Sequence, residues 1–326
     1  MVVDAYGSVE DLHETVLPTP DPGPGEVRVQ VRASCANHAD TKAITGEMKL
    51  MHSGEFPRVV GYDLSGVVDA LGADVDDLAV GDEVFGHLAY SRSTKLGAFA
   101  EYTVAPAGSL ALKPDTVSHE VAAASATAGL TALQALRDRA GLGRPEDVRP
   151  PDGLDDRAGG EHALIVGASG GVGSLAVGVA RRLGARVAAV ASSSSADFVR
   201  SLGADEVIER DRTDPFAGSD RYDVVFDTPA VHSYGEWSQR LKPEGSYVTT
   251  LPSLSLVTGK LRSWLSGKGC HLVTVKSRRA DLELLSRWIA DGLPVPIQQT
   301  YPLERVGEAL KKLERGGMRG RLAISV

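Results

Sequence analysis

Two cysteines in 326 residues, Cys35 and Cys270, supply neither a disulfide framework nor a C-x-x-C metal site. The eight histidines are scattered, and no H-x-x-x-H spacing occurs. About four converging N, S or O ligands are needed to hold zinc, so the expected number of metal sites is none. Basic excess is also missing: 35 Lys and Arg against 43 Asp and Glu give a net charge of −8 at pH 7. Phosphate backbones are bound by basic surfaces, so nucleic acid is not an expected partner. No apolar run reaches membrane-spanning length. The longest weakly polar stretch, Ala122 to Leu136, is short, rich in Ala and Thr, and interrupted by Gly129, which predicts a buried helix. The start Met1-Val-Val-Asp-Ala-Tyr lacks the basic and apolar regions of a signal peptide, so the expected location is cytoplasmic, with no membrane partner. The hydrophobic share of 42% and charged share of 24% suit a globular chain long enough for two domains.

Against these absences stands one dense motif. The run His162 to Gly184 reads as strand, glycine turn and helix. Ala163 to Val166 suits a buried strand, and Ala168, Gly170 and Gly173 form the alanine-led dinucleotide fingerprint A-x-G-x-x-G. Leu175, Val179 and Leu183 then recur at i, i+4 and i+8 as one helix face. Glycines there allow a tight turn and close approach of a pyrophosphate, whose charge meets the exposed N–H groups of the helix. The residues expected to hold it are Ser169, Gly170, Gly171, Val172 and Gly173. A second strand follows at Arg186 to Ala191. About 20 residues beyond the fingerprint, an acid would bond the ribose 2′-hydroxyl of NAD. This chain instead has Ser192-Ser193-Ser194-Ser195, whose hydroxyls could donate to a 2′-phosphate. Arg210, just past the apolar strand Glu206 to Glu209, could add positive charge. NADPH is therefore the expected cofactor, with Ser192, Ser193 and Arg210 at its phosphate.

Around the motif the texture changes. Val27 to Ala33 alternates with period two, and Val59 to Leu71 and Asp82 to Leu88 are strand-like runs broken by glycines, which predicts a β-rich domain of non-parallel sheet. From about residue 119 helices alternate with short apolar strands, among them Tyr222 to Phe226 and Gly245 to Leu251, the pattern of a doubly wound parallel sheet. Leu282, Leu285, Trp288 and Ile289 mark one amphipathic helix; Val306, Ala309, Leu310 and Leu313 mark another, stopping at Gly316-Gly317. The final Gly320 to Val326 reads as a strand returning to the first domain. Gly143 to Glu161 has almost no apolar side chains and is expected as an exposed, mobile loop.

A set of short blocks in order resembles the medium-chain dehydrogenase/reductase superfamily, in its zinc-independent quinone oxidoreductase and enoyl reductase branch. They are Pro22 to Val27, Asn37 to Asp40, Val60 to Val67, Val80 to Gly86, Gly97 to Tyr102, Gly129 to Ala132, Gly167 to Gly173, Ser201 to Ile208 and Arg319 to Leu322. The resemblance implies an α/β fold: a chaperonin-10-like catalytic β domain from both chain ends, 1–118 and 273–326, and a Rossmann NADPH-binding domain at 119–272. It further implies an active cleft where the two meet, Asn37 and Thr131 near the nicotinamide end, and a loop after Leu251 covering the cofactor. Arg210 stands where relatives often carry a tyrosine against the 2′-phosphate, and Ser195 where some carry a lysine. In zinc-dependent relatives a cysteine stands at Asn37 and a Gly-His-Glu block at Gly61-Tyr62-Asp63, and a four-cysteine lobe is present that this chain lacks.

Without a Lewis acid to acidify an alcohol, an electrophilic small molecule is the better substrate: a quinone, or the C=C bond of an α,β-unsaturated carbonyl. Hydride addition leaves negative charge on a conjugated oxygen, which hydrogen-bond donors would stabilise. The candidate catalytic residues are Tyr62, at the former metal-ligand position, Lys42, near the Asn37-His-Ala-Asp40 turn, and Asn37, as an orienting group. The resemblance suggests a homodimer joined through the Rossmann sheets. Two alternatives stay open: a pathway-specific biosynthetic reductase or cyclase, and a non-enzymatic NADPH-binding interaction protein.

Overall fold

A computed structural model of the chain describes residues 1–51, 55–92, 94, 96–143, 160–252 and 254–326. The loop expected at 143–161 lies, over residues 144–159, outside the described residues. By its internal contacts the chain forms two compact units. The first comprises Met1–Thr127, Lys276–Ala290 and Ile297–Val326; the second comprises Ala128–Val275 and Asp291–Pro296.

The first unit is built on a mixed β-sheet, antiparallel except for one parallel pair formed by its last two strands. Its strands are β1 (Val2–Val3), β2 (Glu26–Cys35), β3 (Arg58–Val59), β4 (Asp63–Leu71), β5 (Glu83–His87), β6 (Tyr102–Pro106) and β7 (Leu110–Leu112). To these the chain's end adds β14 (Ile297–Pro302) and β15 (Arg321–Ser325). In β2, Val27, Val29, Val31 and Ala33 are buried, so the period-two pattern does put one face inward. β2 pairs antiparallel with β4, β6 and β15, and β15 sets Ala323 opposite Cys35, so the chain's last strand returns to the first unit. Helices α1 (His38–Thr45), the start of α2 (His119–Leu133), α7 (Arg279–Ala290) and α8 (Val306–Arg315) complete the unit. The core gathers Val27, Leu64 and Leu110 from the sheet and Phe99 from the loop before β6 with Val306, Ala309 and Leu310 of α8.

The second unit holds a six-stranded parallel sheet in the order β10-β9-β8-β11-β12-β13. Its elements are β8 (His162–Val166), α3 (Gly171–Arg182), β9 (Arg186–Ala191), α4 (Ala196–Ser201), β10 (Glu206–Glu209), β11 (Tyr222–Asp227), α5 (Tyr234–Trp237), β12 (Leu241–Thr249), α6 (Leu254–Ser266) and β13 (Gly269–Leu272). Counting from β8, this is the 3-2-1-4-5-6 order of a doubly wound Rossmann sheet, whose strand order reverses beside β8. The α/β class with one largely antiparallel β unit and one Rossmann unit is therefore the observed architecture.

Two local ties account for which segments group with which unit. Residues 119–127 belong to the first unit, where Thr127 donates its N–H and Oγ–H to Asp63 on β4, at 2.7 and 2.5 Å. Residues 291–296 belong to the second, where Asp291 accepts from Arg182 of α3 through its carbonyl. Leu293 packs there against Gly178, where an added Cβ would meet Leu293 Cδ1 at 2.7 Å.

Candidate functional site

In the second unit the fingerprint builds a cradle. Gly167 turns with φ of 75°, a left-handed conformation that favours glycine. A Cβ on Gly173 would stand 2.2 Å from the Gly167 carbonyl oxygen, so only glycine lets α3 start this close to the turn. The first bond within α3 runs from the Ser174 N–H to the Gly170 carbonyl at 2.9 Å. The N–H groups of Gly171, Val172 and Gly173 precede it, at the positive end of the helix dipole. Ser169 to Val172 are only half-buried, so the cradle is reachable. These features fit a pyrophosphate.

Beside the cradle, β9 ends at Ala191, and Ser193 to Ser195 form a short 3-10 turn. The Arg210 N–H donates to the Ala191 carbonyl at 2.9 Å, bringing the end of β10 alongside. Ser192, Ser193 and Arg210 thus share one sheet edge with the fingerprint, and Arg210 is exposed. Ser192 Oγ lies 3.1 Å from Ser194 Oγ and donates to Ser195 Oγ at 3.3 Å. Ser193 is already engaged: its N–H and Oγ–H donate to the two carboxylate oxygens of Asp211, at 2.7 and 2.6 Å. Those bonds hold the Asp211 carboxyl below the usual carboxylate range. Asp211 was not among the residues read from the sequence. The acid of an NAD site ends β9 itself, whereas this one arrives from the neighbouring strand.

Thr131 is buried in α2. Leu251 is half-buried at the bend after β12. The segment beyond it departs from expectation: it is helical from Leu254 to Ser266 rather than a loop.

The first unit carries a buried polar cluster around Asp63. Oδ1 accepts both donors of Thr127, and Oδ2 accepts from Asn37 Nδ2 at 2.9 Å and from the Arg321 guanidinium at 2.7 Å. Arg321 also donates to Asn37 Oδ1 and to the Ala124 carbonyl. Asn37 caps α1, and its side chain further donates to the Cys35 carbonyl, so both ends of its amide are engaged inside the protein. Asp40, wholly buried behind it, has its carboxyl pushed up by burial. Burial also pushes the Cys35 thiol up to about 12, keeping it protonated.

Tyr62 is 4% exposed within the apolar cluster, its hydroxyl driven to higher pKa by burial. Its ring meets Tyr90 edge to face at 4.6 Å. Tyr90 is half-buried, and its hydroxyl meets the Thr127 side chain. Because the Thr127 hydrogen goes to Asp63, Tyr90 donates to Thr127 Oγ. Burial raises the Tyr90 hydroxyl well above its ordinary pKa, so it acts as a donor and not a base. His87 lies against the Tyr90 ring at 4.8 Å. Ser277 donates its Oγ–H to the His87 carbonyl at 2.6 Å, so the 2.8 Å contact with Nδ1 must be Nδ1–H donating to Ser277. That leaves Nε2 a buried acceptor without a partner, and burial lowers the ring's pKa to about 4. Lys42 lies half-buried on α1, one turn beyond His38, whose pKa falls through burial and then through the Lys42 charge. Tyr90 and His87 went unnoticed in the sequence, where neither stands in a motif.

The residues at the former metal-ligand positions do not suit zinc: Asn37 offers an amide engaged with Arg321 and Asp63, and Tyr62 a buried phenol. Among the described residues no group of three or more His, Cys, Asp or Glu is placed to hold a metal, and no helix is long and apolar enough to cross a membrane.

Comparison with known proteins gives matches along the chain. Residues 23–115 match the family of alcohol dehydrogenase GroES-like domains, and residues 202–324 match that of zinc-binding dehydrogenases. The chain is 30% identical over 328 residues to a 2-methylene-furan-3-one reductase of Solanum lycopersicum, covering 98% of this chain and 76% of that protein. It is 31% identical to an NADPH-dependent alkenal/one oxidoreductase, chloroplastic, of Arabidopsis thaliana, covering 99% and 78%. Among solved structures, a quinone oxidoreductase from Coxiella burnetii superposes with a TM-score of 0.84 at 27% identity, covering 100% of this chain and 98% of that one.

Proposed function

Since the chain belongs to the medium-chain dehydrogenase/reductase superfamily, in its zinc-independent quinone oxidoreductase and enoyl reductase branch, we propose that it reduces quinones or the C=C bond of α,β-unsaturated carbonyls with NADPH. It is an NAD(P)H-dependent oxidoreductase. The observation that carries the reading is the cradle: Gly173 seated on the Gly167 carbonyl, with the N–H groups of Gly171 to Gly173 beside a strand that ends in serines. NADPH in preference to NADH is supported by those serines and by Arg210.

Bound, the coenzyme would supply a hydride. What the chain's own residues contribute is binding, through Ser169 to Gly173, Ser192, Arg210, Thr131 and Leu251, and hydrogen bonding to the substrate. Addition at the β-carbon of an enone places negative charge on its oxygen, and a proton then returns to the α-carbon. We assign the donor facing that oxygen to Tyr90 ahead of Tyr62, because Tyr90 is half-buried and protonated while Tyr62 is 4% exposed; on substrate binding the one Tyr90 hydroxyl hydrogen would turn from Thr127 Oγ to the substrate oxygen. Lys42 is the second donor candidate. Asn37, through Arg321 and Asp63, holds the cluster's shape and is a positioning residue. A reducing, cytoplasmic setting agrees with two buried free thiols, and a homodimer through the Rossmann sheets would use the edge strand β13.

The test is a screen of the purified protein for NADPH oxidation against quinones, enals, enones and enoyl thioesters. Turnover of at least one class is expected. Tight NADPH binding with no oxidation by any of them would overturn the enzymatic reading.

A further inference from the structure

The parallel register of β9 and β10 sets Glu209 opposite Ala191, so the segments leaving the two strands run side by side. Asp211 comes by this route to the serine turn and caps it, taking the N–H and hydroxyl of Ser193. The turn therefore carries a fixed negative charge although β9 ends without an acid. One of the hydroxyls expected to greet a 2′-phosphate points at that carboxylate instead. The neighbouring cations are shared with other acids: Arg212, whose charge also acts on Asp211, pairs with Glu209 at 2.9 Å, and Arg200 pairs with Asp197 and Glu209 at 2.7 and 3.6 Å. Arg210 is the remaining arginine at this edge.

We propose that Asp211 is a coenzyme-specificity residue that opposes the 2′-phosphate and narrows the preference for NADPH over NADH that Arg210 and the serines set. The proposal rests on the NADPH reading of this site. Its physical content is that a phosphate carrying about two charges, bound against Ser192 and Arg210, meets a like charge held in place by two hydrogen bonds. A coenzyme with a plain ribose hydroxyl meets no such repulsion, and could donate to the same carboxylate. The chain then accepts both coenzymes with modest discrimination.

Calorimetric titration of NADP⁺ and NAD⁺ into the wild-type protein, Asp211→Asn and Asp211→Ser tests this, at low and high salt, with melting curves to confirm folding. Both neutral variants are expected to bind NADP⁺ roughly 5- to 10-fold tighter, with NAD⁺ affinity unchanged or weaker, and the gain should shrink as salt screens the pair. Unchanged NADP⁺ to NAD⁺ ratios in both folded variants, with the wild type preferring NADP⁺, would overturn the role of Asp211 and leave the NADPH reading standing. A wild type that prefers NAD⁺ and loses it on substitution would overturn both, making Asp211 the acceptor for the ribose hydroxyl.

Discussion

Replacing Gly173 by alanine should damage folding and coenzyme binding together. The new Cβ would lie 2.2 Å from the Gly167 carbonyl oxygen, 2.8 Å from its carbon and 2.9 Å from the Ala168 Cα. All three are backbone atoms, so no side chain can rotate away, and the helix start must retreat by about 0.8 Å to reach a tolerable contact. Overpacking of this kind costs about 1–3 kcal/mol, which lowers the melting temperature by a few degrees to about 10 °C. The same retreat carries the N–H groups of Gly171 to Gly173 away from the pyrophosphate. Charge-assisted bonds contribute about 1.5–3 kcal/mol each, so even one lost bond weakens NADPH binding by roughly 10- to 100-fold. Gly170→Ala separates the two effects, because its Cβ would stand 3.3 Å from the same oxygen. It should reduce coenzyme affinity by crowding the phosphate while shifting the melting temperature far less. Thermal melts with calorimetric titration of NADPH decide the matter: a Gly173→Ala protein with wild-type melting and affinity would refute the close-approach argument.

Asp63→Ala leaves the Arg321 guanidinium buried without its counter-charge, and should cost about 3–5 kcal/mol in urea unfolding. Thr127→Val removes one donor and should cost only about 1–2 kcal/mol; equal costs would contradict the ion-pair assignment. His87 stays neutral in the folded chain down to about pH 4, whereas the unfolded chain protonates it near its ordinary 6.5. Its contribution is therefore full above pH 6.5 and is lost as pH falls towards 4, by about 3 kcal/mol; His87→Gln should flatten that part of the stability profile, and an unaltered slope would discount the bare Nε2. Tyr90→Phe should lower kcat with the best enone by roughly 100-fold, while Tyr62→Phe leaves kcat unchanged; the opposite ranking would return the donor role to Tyr62.

The parts of this molecule that could be read from sequence are those governed by neighbours along the chain. β9 and β10 fall where the apolar runs Arg186 to Ala191 and Glu206 to Glu209 placed them, and the fingerprint turn is fixed by steric demands within seven residues. The helices over Leu282 to Ile289 and Val306 to Leu313 follow from a 3.6-residue period. What escaped has a different physical origin. α6 gives no clean period, since Leu261 and Trp264 are exposed on it, and β13 is four residues with no β-branched side chain.

The site shows the same division more sharply. Asn37 stood out because of its place in a motif, yet its chemistry is decided by Arg321, 284 residues away, which also reaches Asp63 from 258 residues away. No spacing rule encodes such a contact; it exists because the last strand pairs with β2, and the register Ala323 to Cys35 delivers the guanidinium two residues earlier. Asp211 is a milder case, separated from Ser193 by 18 residues and brought to it by one parallel pairing. The end of β9, the strand beside the fingerprint strand, carries no acid; Asp211 follows β10, one strand further out. Because a parallel sheet lines up the carboxyl ends of adjacent strands, the residue following β10 has as much access to the edge proposed for the coenzyme ribose as the residue following β9. Charge at that edge is therefore a property of the pair of strands, and Arg210 and Asp211, adjacent in sequence and opposite in sign, set it jointly.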